Sequence, residues 1–157
     1  MNILILDDES HARISVKSYL NRFLDSDYSF WEAETIDQAL TIAEEHPIDL
    51  AFLDIHLSQG TSFDFLAHFE KIPFRIIFIS GHNDYALKAF RFNAVDYILK
   101  PIEPREFEEA LEKAKEAIPM STQLLDKLTS DMASDEIPKI VLRDIHSVYF
   151  VEVQEII

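Results

Sequence analysis

The chain has no cysteine among its 157 residues. Disulfides and thiolate metal ligands are therefore excluded, which fits a reducing compartment. It has only two glycines, Gly60 and Gly81. A flavodoxin-like nucleotide binder needs a Gly-, Ser- or Thr-rich phosphate loop after its first strand. Here that loop is acidic instead, Asp7-Asp8-Glu9. No apolar run approaches membrane-spanning length, and a strand pattern starts at residue 2. These features predict a cytoplasmic protein without membrane contact. Basic residues are also scarce, 14 Lys+Arg against 29 Asp+Glu, for a formal net charge of -15. Residues 1–118 hold 11 against 22 and residues 119–157 hold 3 against 7. Neither part carries the basic patch that phosphate-backbone binding requires; the bland reading is a soluble acidic surface, and the pointed one is that any DNA contact lies outside this chain.

Apolar material is plentiful. Hydrophobic residues make up 48% and aromatics 11%, enough for a buried core and against disorder. Strand and helix patterns alternate from residue 2 to about 118. A helix is expected over 10–24, with Ala12, Val16, Tyr19, Leu20, Phe23 and Leu24 on one face. A strand follows over Tyr28–Ala33. Thr35 and Gln38 predict a capping box for a second helix that Pro47 ends. Strands are then expected at 49–53, 74–79 and 94–99. Between them come a short helix after Gly60 with Phe65, Leu66 and Phe69, and another over 83–91. A fifth helix carries Phe107, Ala110, Leu111, Ala114 and Ile118. Near-continuous apolar strands separated by helices indicate a parallel sheet covered on both faces. The expected fold class is α/β, a (βα)5 doubly wound parallel sheet of flavodoxin-like type in the order 2-1-3-4-5.

Four polar clusters terminate these apolar runs. Asp7-Asp8 follows Ile3-Leu4-Ile5-Leu6, and Asp54 follows Leu50-Ala51-Phe52-Leu53. Ser80 follows Ile76-Ile77-Phe78-Ile79, and Lys100 follows Tyr97-Ile98-Leu99. In a parallel sheet all four emerge at the carboxyl edge, where such sheets bind ligands. Three carboxylates held together repel one another unless protons or a cation relieve them. Hard oxygen donors suit Mg²⁺, with Mn²⁺ as a substitute, and His56 is better placed to lend its backbone carbonyl than its ring. A carboxylate can also act as a nucleophile toward phosphorus. Asp54, on the expected central strand, is the natural one, with Lys100 and the Ser80 hydroxyl supplying positive charge and a donor for phosphoryl oxygens.

The set Asp7-Asp8-Glu9, Phe52-Leu53-Asp54-Ile55, Ser80 and Tyr97-Ile98-Leu99-Lys100-Pro101 resembles the receiver domain of two-component response regulators. The resemblance covers roughly 1–118. The stretches Tyr85-Ala86-Leu87-Lys88-Ala89-Phe90 and Asn93-Ala94-Val95-Asp96-Tyr97 are similar to the LytR/AlgR branch, whose output is a LytTR DNA-binding domain. The resemblance implies that Asp54 accepts phosphoryl from a sensor histidine kinase. It implies Mg²⁺ binding by the side chains of Asp8 and Asp54 and the carbonyl of His56, with Asp7 acting largely through water. It implies a phosphoryl contact for Lys100, a cis Lys100-Pro101 bond, a Ser80 that moves toward the phosphate and a Tyr97 that turns inward behind it. The face of the fourth helix, fifth strand and fifth helix is the implied homodimer surface. Two positions depart from the family pattern. Ser58 stands where proline often follows the phosphorylated strand, and Ser62 where glycine is frequent at the start of the third helix.

Blander readings stand beside these. A lone acid at a strand end is ordinary, a serine there is usually a cap, and Tyr97 can be a plain core aromatic. The weight rests on their joint occurrence. His56 and His82 flank the pocket, where the bland reading is exposed loop residues and the pointed one a tuning of acyl-phosphate hydrolysis. His11, His46, His68 and His146 share no ligand spacing. Two other functions compete. A Mg²⁺-dependent phosphatase or phosphotransferase with an aspartyl nucleophile would need a second acid two residues after the first, and a cap domain. A receiver that has lost phosphorylation would serve only as an interaction module. Beyond 118, Pro119 and Pro138 bracket a linker, in which Leu124, Leu125, Leu128 and Met132 fit either a short helix or a polar connector. From 139 to 157 two apolar runs read as the first strands of a LytTR-type domain, cut short.

Overall fold

The computed structural model describes residues 1–116, 139–143 and 148–152. In chain order the elements begin β1 (Asn2–Leu6), α1 (Ser10–Phe23), β2 (Ser29–Ala33), α2 (Ile36–Glu45) and β3 (Leu50–Leu53). A two-residue-per-strand ribbon follows, β4 (His56–Leu57) and β5 (Gly60–Thr61), then α3 (Ser62–Leu66) and β6 (Arg75–Ser80). Next come α4 (Ala86–Arg91), β7 (Asp96–Leu99) and α5 (Pro104–Glu116), and finally β8 (Lys139–Arg143) and β9 (Val148–Glu152).

The main sheet has five parallel strands in the order β2-β1-β3-β6-β7. Leaving aside the small β4–β5 ribbon, which the sequence pattern did not announce, these are its first five long strands in the expected order 2-1-3-4-5. Alternation along each strand divides the core into two layers. Leu4, Leu6, Ala51, Leu53, Ile76, Phe78 and Tyr97 face the layer shared with Ala39, Phe63, Phe65, Ala86 and Ala89 of α2, α3 and α4. Ile3, Ile5, Leu50, Phe52, Ile77, Ile79 and Ile98 face Val16 and Leu20 of α1 and Phe107, Ala110 and Leu111 of α5. Strand residues are buried on both faces in β1, β3, β6 and β7, while the edge strand β2 leaves Phe30 exposed.

Several local expectations are corrected. Thr35 caps α2 by accepting from the Gln38 N–H, but the Gln38 side chain accepts from Glu34 N–H and not from Thr35, so the box is shifted by one residue. A full capping box occurs at α3 instead, between Thr61 and Asp64. Phe69 lies beyond α3 yet packs edge-on against Phe65 and Phe74. The fourth helix begins at Ala86, not 83, because Asn83–Tyr85 form a turn in front of it. Its end is a Schellman motif: Asn93 takes φ 55°, Ala94 N–H donates to Ala89 C=O and Asn93 N–H to Phe90 C=O. That motif uses Ala94, so β7 starts at Asp96 rather than 94. Ser80 is the last residue of β6, inside the strand and not after it.

Lys139–Arg143 and Val148–Glu152 pair antiparallel, with Lys139 opposite Glu152 and Arg143 opposite Val148. The expected linker over 119–138 and Ile118 lie outside the described residues. No helix among the described residues is long and apolar enough to cross a membrane.

Candidate functional site

Strand register brings the acidic residues together. Leu6 of β1 is the ladder partner of Leu53 of β3, so the residues that follow them, Asp7 and Asp54, leave the sheet side by side. The Asp54 N–H donates to Leu6 C=O at 2.8 Å, and the Asp7 N–H to Ala33 C=O at 3.1 Å. One strand further, Leu99 of β7 pairs with Ser80 of β6, and Lys100 N–H donates to Ser80 C=O at 2.8 Å. The four strand ends thus share one rim, with β3 central.

Side chains converge there. Lys100 Nζ donates to Asp7 Oδ2 at 3.0 Å and to Asp54 Oδ2 at 3.4 Å. Asp7 Oδ1 accepts from the Glu9 N–H at 2.9 Å. Carboxylate oxygens of Asp7, Asp8 and Asp54 all lie within 4.8 Å of one another. Asp7 and Asp54 are buried, while Asp8 is the more exposed of the three. The Lys100-Pro101 peptide bond is cis.

Electrostatics follow from this crowding. Burial is the main force raising the Asp54 pKa from 3.8 to about 6, the Asp7 carboxylate adds to it, and Lys100 works against it. Burial likewise raises Asp7, opposed by the Glu9 N–H and by Lys100. For Lys100, burial favours the neutral amine, but the Asp54 and Asp7 carboxylates together outweigh it and the pKa is raised. Three carboxylates against one ammonium leave two negative charges uncompensated when all are ionised. Closely spaced hard oxygens with that excess fit Mg²⁺ or Mn²⁺ and do not fit a soft metal. Among the described residues, Asp7, Asp8 and Asp54 are the side chains able to hold it.

Ser80 and Tyr97 close the back of the rim. Ser80 is 1% exposed, and its Oγ accepts from the His82 N–H at 3.2 Å. The Tyr97 ring is buried and its hydroxyl donates to the His82 backbone carbonyl. Burial raises the Tyr97 pKa, which keeps the phenol protonated, while contact with Ser80 works against that. One residue, His82, is therefore gripped at its N–H by Ser80 and at its C=O by Tyr97. The exposed His56 sits on β4, its ring edge-on to His82 at 4.8 Å and to Tyr85 at 5.0 Å. His56, His82 and Tyr85 thus form one cluster of ring contacts.

The structure adds residues that the motif reading missed. Arg13, on α1, donates from Nη1 to Asp7 C=O at 2.7 Å, and Tyr19, six residues on, donates its hydroxyl to Ile102 C=O at 3.2 Å. A signal for Arg13 was present. It occupies a core-facing position, three and seven residues before the buried Val16 and Leu20, where a charge needs a reason.

Comparison with known proteins agrees with this geometry. The family model for the response regulator receiver domain matches residues 3–112. The sensory transduction protein LytT of Enterococcus faecalis is 35% identical over 162 residues, covering 99% of this chain and 66% of that protein. LytR of Streptococcus mutans is 37% identical over 147 residues, covering 92% of this chain and 60% of that protein. The chain thus spans less than two thirds of the length of these relatives. Among solved structures, the response regulatory domain of MrkE from Klebsiella pneumoniae superposes with a TM-score of 0.65 at 26% identity, over 74% of this chain and 97% of that domain.

Proposed function

The chain belongs to the response regulator receiver domain family, and from that membership we propose that it is a signalling switch phosphorylated on Asp54 by a sensor histidine kinase. The observation that carries the reading is the convergence of Lys100 with Asp7 and Asp54 from three different strand ends. In the transfer, an Asp54 carboxylate oxygen attacks the phosphorus of the kinase phosphohistidine. The P–N bond breaks, its electron pair returns to the imidazole, and that ring takes a proton from water. Transfer of this kind rests on positioning and charge neutralisation. A bound Mg²⁺ would supply charge neutralisation for the phosphoryl oxygens. Asp8 and Asp54 would hold it by side chain and His56 by its carbonyl, with Asp7 acting largely through water. Lys100 keeps its bond to Asp7 and exchanges Asp54 for a phosphoryl oxygen. The Ser80 hydroxyl turns to a second oxygen, and this alters its grip on His82 and with it the Tyr97 bond.

The phosphorylated state is read by the face of α4, β7 and α5, as a change in homodimerisation. Residues 1–118 form the receiver, 119–138 the connector, and 139–157 the first strands of a LytTR-type DNA-binding domain. The likeness to LytT and LytR and the antiparallel β8–β9 pair support this division. DNA is contacted through that output domain and not through the acidic receiver. The role is regulatory and cytoplasmic, and beyond accepting the kinase's phosphoryl group the chain catalyses at most its own phosphorylation and dephosphorylation.

The test is incubation with a small acyl phosphate, with and without Mg²⁺, read by intact-protein mass. The expected result is a Mg²⁺-dependent gain of one phosphoryl group, abolished in Asp54→Asn. A gain that survives this substitution contradicts the assignment.

A further inference from the structure

Asp8 presents a structural problem. It is the most exposed acid of the rim, and among the described residues its carboxylate makes no hydrogen bond or ion pair. Asp7, in contrast, is held at both carboxylate oxygens, by the Glu9 N–H and by Lys100. Asp8 therefore depends on its backbone for its direction.

That backbone is held by a buried cation. Arg13 is 8% exposed and its guanidinium makes three contacts. Nη1 donates to Asp7 C=O at 2.7 Å, Nη2 to Glu34 Oε1 at 2.7 Å, and Nε to Glu32 Oε1 at 3.2 Å. Glu32 is in turn held by Lys17 at 3.1 Å. The Asp7 carbonyl belongs to the peptide plane that joins Asp7 to Asp8. Because that plane is rigid, fixing its oxygen fixes both the last torsion of Asp7 and the first of Asp8. The far end of the fork is anchored on β2 and the residue just past it, so the clamp spans two neighbouring strand ends. A planar, five-donor group suits such a three-point clamp, and a lysine does not.

We infer that Arg13 is a positioning residue for the divalent cation: clamping the Asp7–Asp8 peptide plane, it aims the unheld Asp8 carboxylate into the rim. The inference rests on the reading of the rim as a Mg²⁺ site. It also opposes simple electrostatics. A fixed positive charge near a dication repels it, so charge alone predicts that removing Arg13 tightens Mg²⁺ binding. Positioning predicts the reverse.

The test is Mg²⁺ titration of the full 157-residue chain by calorimetry, with no phosphodonor, beside thermal unfolding without metal. Arg13→Met is expected to weaken Mg²⁺ binding by about tenfold, the scale seen when partners behind metal ligands are lost. Arg13→Lys, which keeps the charge and loses the fork, is expected to weaken it as well. If Arg13→Met does not fold, Glu34→Gln loosens the fork from its exposed end and is expected to weaken binding by a smaller factor. Asp8→Asn is the reference. If it abolishes Mg²⁺ binding while the Arg13 variants bind as tightly as the unmodified chain or tighter, the positioning role is overturned and the site stands. If Asp8→Asn and Asp54→Asn both leave Mg²⁺ binding unchanged, the metal reading itself fails. A fall in melting temperature with unchanged affinity assigns Arg13 a structural role only and overturns the inference.

Discussion

The Lys100 ammonium lies 3.0 Å from the carboxylate of Asp7, a residue 93 positions away in the chain. With its longer contact to Asp54 it partly supplies the positive charge that the rim requires. The ammonium and a divalent cation therefore compete for the same oxygens. Lys100→Gln is expected to bind Mg²⁺ more tightly, because two carboxylates are freed and a repelling charge is gone. The same variant is expected to phosphorylate more slowly, having lost the group that meets the phosphoryl oxygen. Calorimetric titration and intact mass after a timed phosphodonor pulse measure the two effects, which should move in opposite directions.

Asp54 makes a pH prediction. Its pKa is raised from 3.8 to about 6, so the fold disfavours the ionised form. Below the unfolded value the carboxyl is protonated in both states and this cost is absent. As pH rises through about 6 the group ionises in the folded state, and stability is lost. In the absence of Mg²⁺, Asp54→Asn should therefore melt higher than the unmodified chain at about pH 7.5, and the gap should close toward about pH 4. Mg²⁺ should narrow the gap at neutral pH by stabilising only the carboxylate form. A gap that widens on acidification contradicts the assignment of burial as the cause.

Ser62 is fully buried, and among the described residues its hydroxyl oxygen has no hydrogen-bond partner. An unpaired buried hydroxyl costs about 1 kcal/mol or more. Ser62→Ala keeps the backbone and removes the hydroxyl. It is expected to stabilise the chain by about 1 kcal/mol in a denaturant titration, with phosphorylation unaffected.

Gly60 works in the opposite direction. Its φ is +132°, and an added Cβ would stand 2.8 Å from Asp64 Oδ2, the acceptor of the α3 capping box. Gly60→Ala is expected to destabilise by about 1–3 kcal/mol, through backbone strain and loss of that cap. Denaturant unfolding checks it directly.

The fold was legible because β1, β3, β6 and β7 are apolar on both faces and end in charged or hydroxyl residues, and only a parallel sheet gathers those ends. The tertiary placement of Asp7, Asp54, Ser80 and Lys100 could be read from topology alone. What escaped were features set by local geometry. The β4–β5 ribbon is two residues long per strand and carries no periodicity. The Schellman end of α4 depends on one left-handed residue, Asn93, that the sequence does not mark apart from any other asparagine. Gln38 reaches Glu34 N–H rather than Thr35 N–H, a difference of one residue that propensity does not resolve. Arg13 was marked only by its place at a core-facing position, because burial of a charge is decided by partners distant in sequence, Glu32 on β2 and Glu34 just past its end.

The most direct test of the account is to locate the phosphoryl group. Borohydride reduction of the phosphorylated chain converts an acyl phosphate on aspartate to homoserine, which peptide mass mapping places by position. A single homoserine at position 54, appearing only after exposure to donor and Mg²⁺, is the expected result. Homoserine at position 7 or 8, or a phosphoryl group that resists reduction and maps to a serine, threonine or histidine, would contradict it.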